Sequence, residues 1–380
     1  MMQPTKNPFK FGDPVEGDFY LPRPELARLV AQFLDARVHV VLVGPRRFGK
    51  TSFILDLLQQ EEKKGFACVF VDVFNVTSHR DFLQQLLRAL RSKKGWALKL
   101  KEWVKSIPRL RPRLEWETDP NTGETTFSIS PALADQDVKE TIQDALIAIS
   151  KIGDNVIAAI DEFQAIAEID DNGWLEATLR TQMQQIRNTS FLFSGSRKSI
   201  INDMMNNPAR PFYRSCQPID FPSMGANFSE WVVSRFKSVG VSCSIEAANR
   251  LRQLVQDTPN YVQMACFHLV AQGATVVDEA TIHEVLRTIV KQNSYAYQTL
   301  MNSLTAIQQR ALRLCAIEQE NVYSKDLLSK YEIPGGPALA SSIKSLKQKQ
   351  ILDEGTAKGK VIFDDPLFSI WLKTEFDSRE

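Results

Sequence analysis

A chain of 380 residues exceeds one ordinary domain, so two or three folding units are expected. Its composition, 43% hydrophobic and 24% charged, is that of a globular protein, and no apolar run reaches the roughly 18–20 residues that span a bilayer. A formal net charge of +1 supplies no global attraction to nucleic acid, so any such binding must be local.

Residues 1–18 form an N-terminal segment in which Met1–Lys10 lacks the apolar centre of a signal peptide, so a cytoplasmic protein is expected. Val38–Val43 (VHVVLV) is the near-continuous apolar run of a buried parallel strand. After a Gly-rich turn, residues 51–64 place Phe53, Ile54, Leu57 and Leu58 at helical spacing, and Gly65 ends that helix. Ala67–Val73, Val156–Ile160, Ser190–Ser194 and Gln217–Phe221 read as four further strands. Five strands with intervening helices predict an α/β nucleotide-binding core with a five-stranded parallel sheet over residues 19–224. Residues 92–135 lack a core-strand pattern; within them 113–130 read as a hairpin around residues 119–123, so this stretch is an insertion.

Beyond Pro222 the strand signal stops. Helical periodicity over 227–239, 245–256, 261–272 and 279–291 predicts a helical lid domain, residues 225–300. From 301 to 380 the expected helices are 305–318, 324–330 and 338–349, followed by strands 351–353 and 360–363 turned by 355–359. Three helices and a hairpin describe a winged helix-turn-helix. The five cysteines (Cys68, Cys216, Cys243, Cys266, Cys315) form no CxxC pair and read as buried thiols in a reducing compartment. The histidines His39, His79, His268 and His283 show no metal-ligand spacing.

Chemistry concentrates at the first turn. Gly44-Pro45-Arg46-Arg47-Phe48-Gly49-Lys50-Thr51 matches GxxxxGK[ST], and Ser52 follows it. Glycines let the backbone N–H groups close around phosphates at a helix N-terminus. Lys50 brings a point charge to the β- and γ-phosphates, and Thr51 a hydroxyl ligand for Mg²⁺. Binding of ATP or ADP with Mg²⁺ is therefore expected. Asp161 and Glu162 end the run VIAAI: Asp161 would hold Mg²⁺ and Glu162 would polarise the attacking water. A solvated turn is the bland reading of the same pair. Ser194 ends the fourth strand, where a hydroxyl can sense the γ-phosphate. Arg210 and Arg214 lie before the fifth strand, where an arginine finger or a salt bridge would serve equally.

Phe19-Tyr-Leu-Pro-Arg23-Pro-Glu25-Leu26, then GPRRFGKTS, IDEFQ, FLFSGS, Asp257-Thr-Pro259-Asn-Tyr261 and a close at Phe363–Leu372 recur in one order. In that order the chain resembles the archaeal-type ATPase family, at the border of the AAA+ and STAND groups and related to origin-recognition ATPases. The resemblance covers residues 19–375. It implies that Arg23 and Glu25 lie near the adenine, and that Pro259 is the proline of a GxP element packing on the nucleotide. Two departures stand out: Asp257 replaces the glycine of GxP, and Asn260 and Tyr261 stand where a sensor arginine is expected. Their combination favours a slow ATP-hydrolysing switch over a ring motor.

Two patches bear on partners. Residues 91–113 carry nine basic side chains against Glu102, with Trp96 and Trp103 between them; nucleic acid, an acidic surface, or plain solvation next to an acidic hairpin all fit. The third winged-helix helix offers Ser341, Ser342, Lys344, Ser345, Lys347 and Lys349 on its polar side, suited to DNA or to a protein partner. The rival readings are a DNA-binding initiator or transposition-type regulator, and a nucleotide-binding scaffold with little turnover. A homo-oligomer is open to all of them.

Overall fold

The structure, a computed structural model, describes residues 6–92, 114–118, 125–129, 134–169, 172–318, 321–354 and 361–376. Most of the basic segment 91–113 therefore lies outside the described residues. The chain divides into two compact units: residues 22–45 with 49–222, and residues 1–21, 46–48 and 223–380.

The first unit is built on a five-stranded sheet. Helix α1 (Pro24–Asp35) precedes β1 (Val40–Val43), and α2 (Lys50–Lys63) precedes β2 (Ala67–Asp72). Then come α3 (His79–Arg91), the hairpin β3 (Leu114–Thr118) and β4 (Thr125–Ile129), and α4 (Asp135–Ser150). Next are β5 (Val156–Asp161), α5 (Gln164–Ile169), α6 (Trp174–Gln185), β6 (Thr189–Gly195), α7 (Lys198–Asn206) and β7 (Gln217–Asp220). The sheet order is β2-β5-β6-β1-β7 with every pairing parallel, and β3 and β4 pair only with each other. The expected insertion thus forms its own two-stranded sheet.

Burial explains the strand sequences. β1, β5 and β6 are interior strands whose residues are all buried, which requires their unbroken runs of apolar or small residues. β7 is an edge strand that pairs with β1 alone and is mostly exposed, so it tolerates Pro218, which has no N–H to donate. Helices α3 and α4 cover the β2 side with Phe82, Leu86, Leu90, Ile142, Leu146 and Ile149, all essentially solvent-free. Each such side chain contributes about 1.5–3 kcal/mol relative to exposure.

The second unit contains α8 (Asn227–Ser238), β8 (Ser242–Cys243), α9 (Ile245–Leu254), α10 (Pro259–Ala271), β9 (Val276–Val277) and α11 (Glu279–Gln292). It continues with α12 (Ser294–Asn302), α13 (Ala306–Ile317), α14 (Lys325–Lys330), α15 (Gly336–Gln348), the hairpin β10 (Leu352–Glu354) and β11 (Val361–Phe363), and α16 (Pro366–Phe376). Four of these elements lie outside the expected set. The two-residue strands β8 and β9 pair in parallel, and such pieces carry no periodicity. Helix α12 and helix α16 join through Trp371 Nε1, which donates to Ser294 Oγ at 3.0 Å. Helix α16 buries Leu367, Phe368, Trp371 and Leu372, and an almost apolar helix shows no amphipathic stripe to read.

Two sequence readings need correction here. Of the five cysteines Cys68 and Cys266 are buried, while Cys216, Cys243 and Cys315 are half-buried. On α15 the polar face is narrower than expected. Ser342 is buried with Leu339, Ile343 and Leu346 on one stripe, and Ser345 Oγ accepts from Gln308 Nε2 at 2.9 Å.

Candidate nucleotide site

Strand order brings the chemistry together. β1 lies between β6 and β7, and β5 lies on the far side of β6, so the C-terminal ends of β1, β6 and β5 are neighbours. This is the edge where an open parallel sheet presents its ligand crevice. Gly44 N donates to Gly195 O at 3.2 Å, which ties the start of the loop to the end of β6. Gly44 is dictated by packing: a Cβ there would stand 2.7 Å from Phe221 Cβ.

The loop turns into α2 through Gly49, whose φ of 87° favours glycine. Gly49 at the N-cap has no side chain to cover this helix N-terminus, whose dipole favours an anion. Lys50 is buried, and its Nζ donates to Gly44 O at 2.9 Å and Pro45 O at 2.8 Å, holding the ammonium over the loop. Ser52 is buried beside it. Thr51 Oγ1 donates to Asp161 Oδ2 at 2.5 Å. A hydroxyl, a carboxylate, a loop ammonium and a helix N-terminus form the donor set that Mg²⁺ and polyphosphate require. The residues present fit both.

Asp161 is buried at the end of β5, and its other oxygen, Oδ1, accepts from Ser194 Oγ and from Glu162 N at 3.0 Å. Burial raises its pKa, the hydroxyls of Ser194 and Thr51 pull it back, the Glu162 charge raises it and Lys50 lowers it. Ser194, read from sequence as a γ-phosphate sensor, is fully buried with its hydroxyl committed to Asp161. The hydroxyl beside Glu162 belongs to Ser196, at the other end of the run Ser194-Gly195-Ser196.

The remaining predicted residues separate. Arg23 donates from Nη1 to Pro222 O at 2.6 Å, with its guanidinium 4.4 Å from the Phe221 ring centroid. Glu25 is exposed in the first turn of α1. Arg210 pairs with the buried carboxylate of Glu176 and lies 3.6 Å from Asp203, which occupies it internally. Arg214 is exposed, in the left-handed region at φ 51°, over the Tyr213 ring. Arg46–Phe48 group with the second unit, where the Arg47 guanidinium lies 5.0 Å from the Tyr261 ring centroid. Pro259 opens α10. Asp257, where the family has glycine, adopts φ 53° and is held by Arg252 Nε at 2.7 Å, so an ion pair supports a backbone shape that glycine would adopt unaided.

Residues 34–201 match the family described as an AAA domain, and residues 295–374 match a "Probable winged helix domain". A Walker-type ATPase of Pyrococcus abyssi superposes with a TM-score of 0.65 at 15% identity, covering 94% of this chain and 97% of its own. The ORC2 protein of Aeropyrum pernix, solved as ADPNP–ADP complexes, gives a TM-score of 0.54 at 14% identity over 95% and 96%. Residues 34–201 of this chain are thus an AAA domain and residues 295–374 a winged helix domain, in a fold similar to those two ATPases over nearly its whole length. The ORC1 protein of Aeropyrum pernix, solved in complex with DNA, is also similar in fold, with a TM-score of 0.51 at 13% identity over 95% and 94%. A comparison with curated proteins found no match. Among the described residues no helix is long and apolar enough to cross a membrane, and no group of three or more His, Cys, Asp or Glu side chains is placed to hold a metal ion. A cavity of about 850 Å³ lined by Gln253, Cys315, Tyr323, Phe363 and Lys373 borders none of the predicted site residues.

Proposed function

We propose that this protein is an ATP-hydrolysing molecular switch. The observation that carries the reading is the Thr51–Asp161 contact of 2.5 Å beside Lys50 and Glu162. Thr51 and Asp161 would hold Mg²⁺, which supplies charge neutralisation at the phosphates. Lys50 and the N-terminal amides of α2 would bind the β- and γ-phosphates, and Glu162 would orient and deprotonate water. Ser194 would keep Asp161 in place. Arg23, Glu25 and Pro259 are the proposed contacts of the base and lid. Arg214, exposed and without an ion pair among the described residues, is the better finger candidate. We take residues 19–224, 225–300 and 301–380 as core, lid and winged helix, with nucleotide state governing the lid and winged helix and through them a partner.

Purified protein should release phosphate from ATP only with Mg²⁺. Lys50→Ala should abolish nucleotide binding, while Glu162→Gln should bind ATP and turn it over only at a small residual rate. Normal turnover in the Glu162 variant would remove its assigned role.

A second reading, a DNA-binding ATPase, is favoured by α15, where Ser341, Lys344 and Gln348 are exposed on the face opposite the buried stripe. Salt-dependent duplex binding that weakens when Lys344 and Lys347 are neutralised would support it. Equal binding by that variant would exclude α15 as the contact.

A further inference from the structure

The end of β6 does more than terminate a strand. Gln164 is the first residue of α5 and is buried, and its amide reaches back to β6. Gln164 Oε1 accepts from Ser196 N at 3.2 Å, while Nε2 donates to Glu162 Oε2 and stands 3.3 Å from Ser196 Oγ. Ser196 Oγ donates to the same Glu162 Oε2 at 2.8 Å. The amide orientation is dictated: reversed, it would set its oxygen against a carboxylate and its NH₂ against an N–H. Room for this amide comes from Gly195, where a Cβ would stand 2.6 Å from Gln164 Oε1 and 2.8 Å from Ile201. Glu162 itself has φ 56°, a conformation a glutamate adopts only when its surroundings hold it there.

We propose that Gln164 and Ser196 are positioning residues for hydrolysis, clamping one oxygen of the Glu162 carboxylate and tying it to the end of β6. This inference rests on the hydrolysis reading above. Two donors converge on Oε2, so the carboxylate plane is set and Oε1 is the oxygen left to address water. Ser194, two residues back on the same strand, holds Asp161 in the same way. The segment Ser194–Ser196 thus seats both carboxylates, and any shift of that strand end moves them together. The IDEFQ motif acquires a reason for its last letter. A glutamine at that place offers an acceptor for the strand end and a donor for the carboxylate, which neither glutamate nor alanine can do.

The test is steady-state hydrolysis and nucleotide affinity in Gln164→Ala, Ser196→Ala and Ser196→Thr, each also combined with Glu162→Gln. Gln164→Ala and Ser196→Ala should each lower kcat roughly ten- to hundredfold with KM and nucleotide Kd unchanged. Ser196→Thr, which keeps the hydroxyl, should recover most of the rate. In the Glu162→Gln background Gln164→Ala should cause no further loss, because there is no carboxylate left to position. An unchanged kcat in Gln164→Ala, or a loss that adds in full to that of Glu162→Gln, overturns the clamp while leaving hydrolysis intact. A loss of nucleotide affinity in parallel with kcat would mark a structural role and also overturn it. A wild-type protein without turnover overturns the hydrolysis reading, and the clamp with it.

Discussion

Asp161 shows how single residues bear opposing demands. Burial disfavours its charge and holds its pKa above the ordinary carboxylate range, while the hydroxyls of Ser194 and Thr51 and the Lys50 ammonium offset only part of that cost. Gly44 is constrained by shape alone. The Phe221 ring is held by Phe53, 5.5 Å away edge-on, and by Arg23, so it cannot retreat from an added methyl. Gly44→Ala should therefore destabilise the first unit by about 1–3 kcal/mol, read as a lower urea midpoint. Asp257 invites a paired test: Asp257→Gly relieves the left-handed φ and loses the Arg252 pair, whereas Asp257→Ala keeps the strain and loses the pair. The alanine variant should be less stable than the glycine variant by about 0.5–1 kcal/mol; equal stabilities would mean that φ carries no strain. His39 gives a pH dependence. Burial lowers its pKa, and its Nδ1 accepts from Phe191 N at 3.1 Å, an acceptor role that protonation removes. With the folded value below the unfolded 6.5, the unfolded state binds the extra proton first, so stability present above 6.5 is lost as pH falls towards the folded value. A thermal midpoint that drops less on acidification in His39→Gln than in wild type would bear this out.

Among the elements, capping and edges do most to set boundaries. Thr305 and Gln308 cap α13 reciprocally, at 3.4 Å and 3.1 Å, and Gln308 then reaches Ser345 on α15. Thr305→Ala should lower stability by about 1 kcal/mol in denaturant titration, and Thr305→Ser should restore it, since the hydroxyl is the functional part. The buried stripe of α15 at Leu339, Ser342, Ile343 and Leu346 leaves the opposite face for contact with a partner. On β7, edge position rather than propensity admits Pro218.

For the molecule as a whole, binding and stability are linked. If the first unit closes on nucleotide through Lys50 and Thr51, an ATP analogue at a hundred times its Kd should stabilise the protein by about 2.7 kcal/mol. Differential scanning should show the upward shift with Mg²⁺, a smaller one with chelator, and none in Lys50→Ala. A shift that persists in Lys50→Ala would place the ligand somewhere other than the P-loop.

The sequence by itself determined the five-stranded core and singled out Lys50, Thr51, Asp161 and Glu162 as a candidate phosphate site. Interior parallel strands are apolar along most of their length, and GxxxxGK[ST] has a fixed spacing, so both leave clear local patterns. It also carried the winged-helix pattern, because amphipathic helices and a hairpin are local signals. Tertiary structure alone decided what Ser194, Ser196 and Gln164 do, since their partners lie 33, 34 and 32 residues away along the chain. It likewise decided that Arg210 is spent on the buried Glu176, that Ser342 faces inward, and that α16, apolar nearly all round, is a helix. A hydroxyl at a strand end has the same local sequence whether it meets a phosphate or a carboxylate. Only the pairing of β6 with β5 brings Ser194 to Asp161.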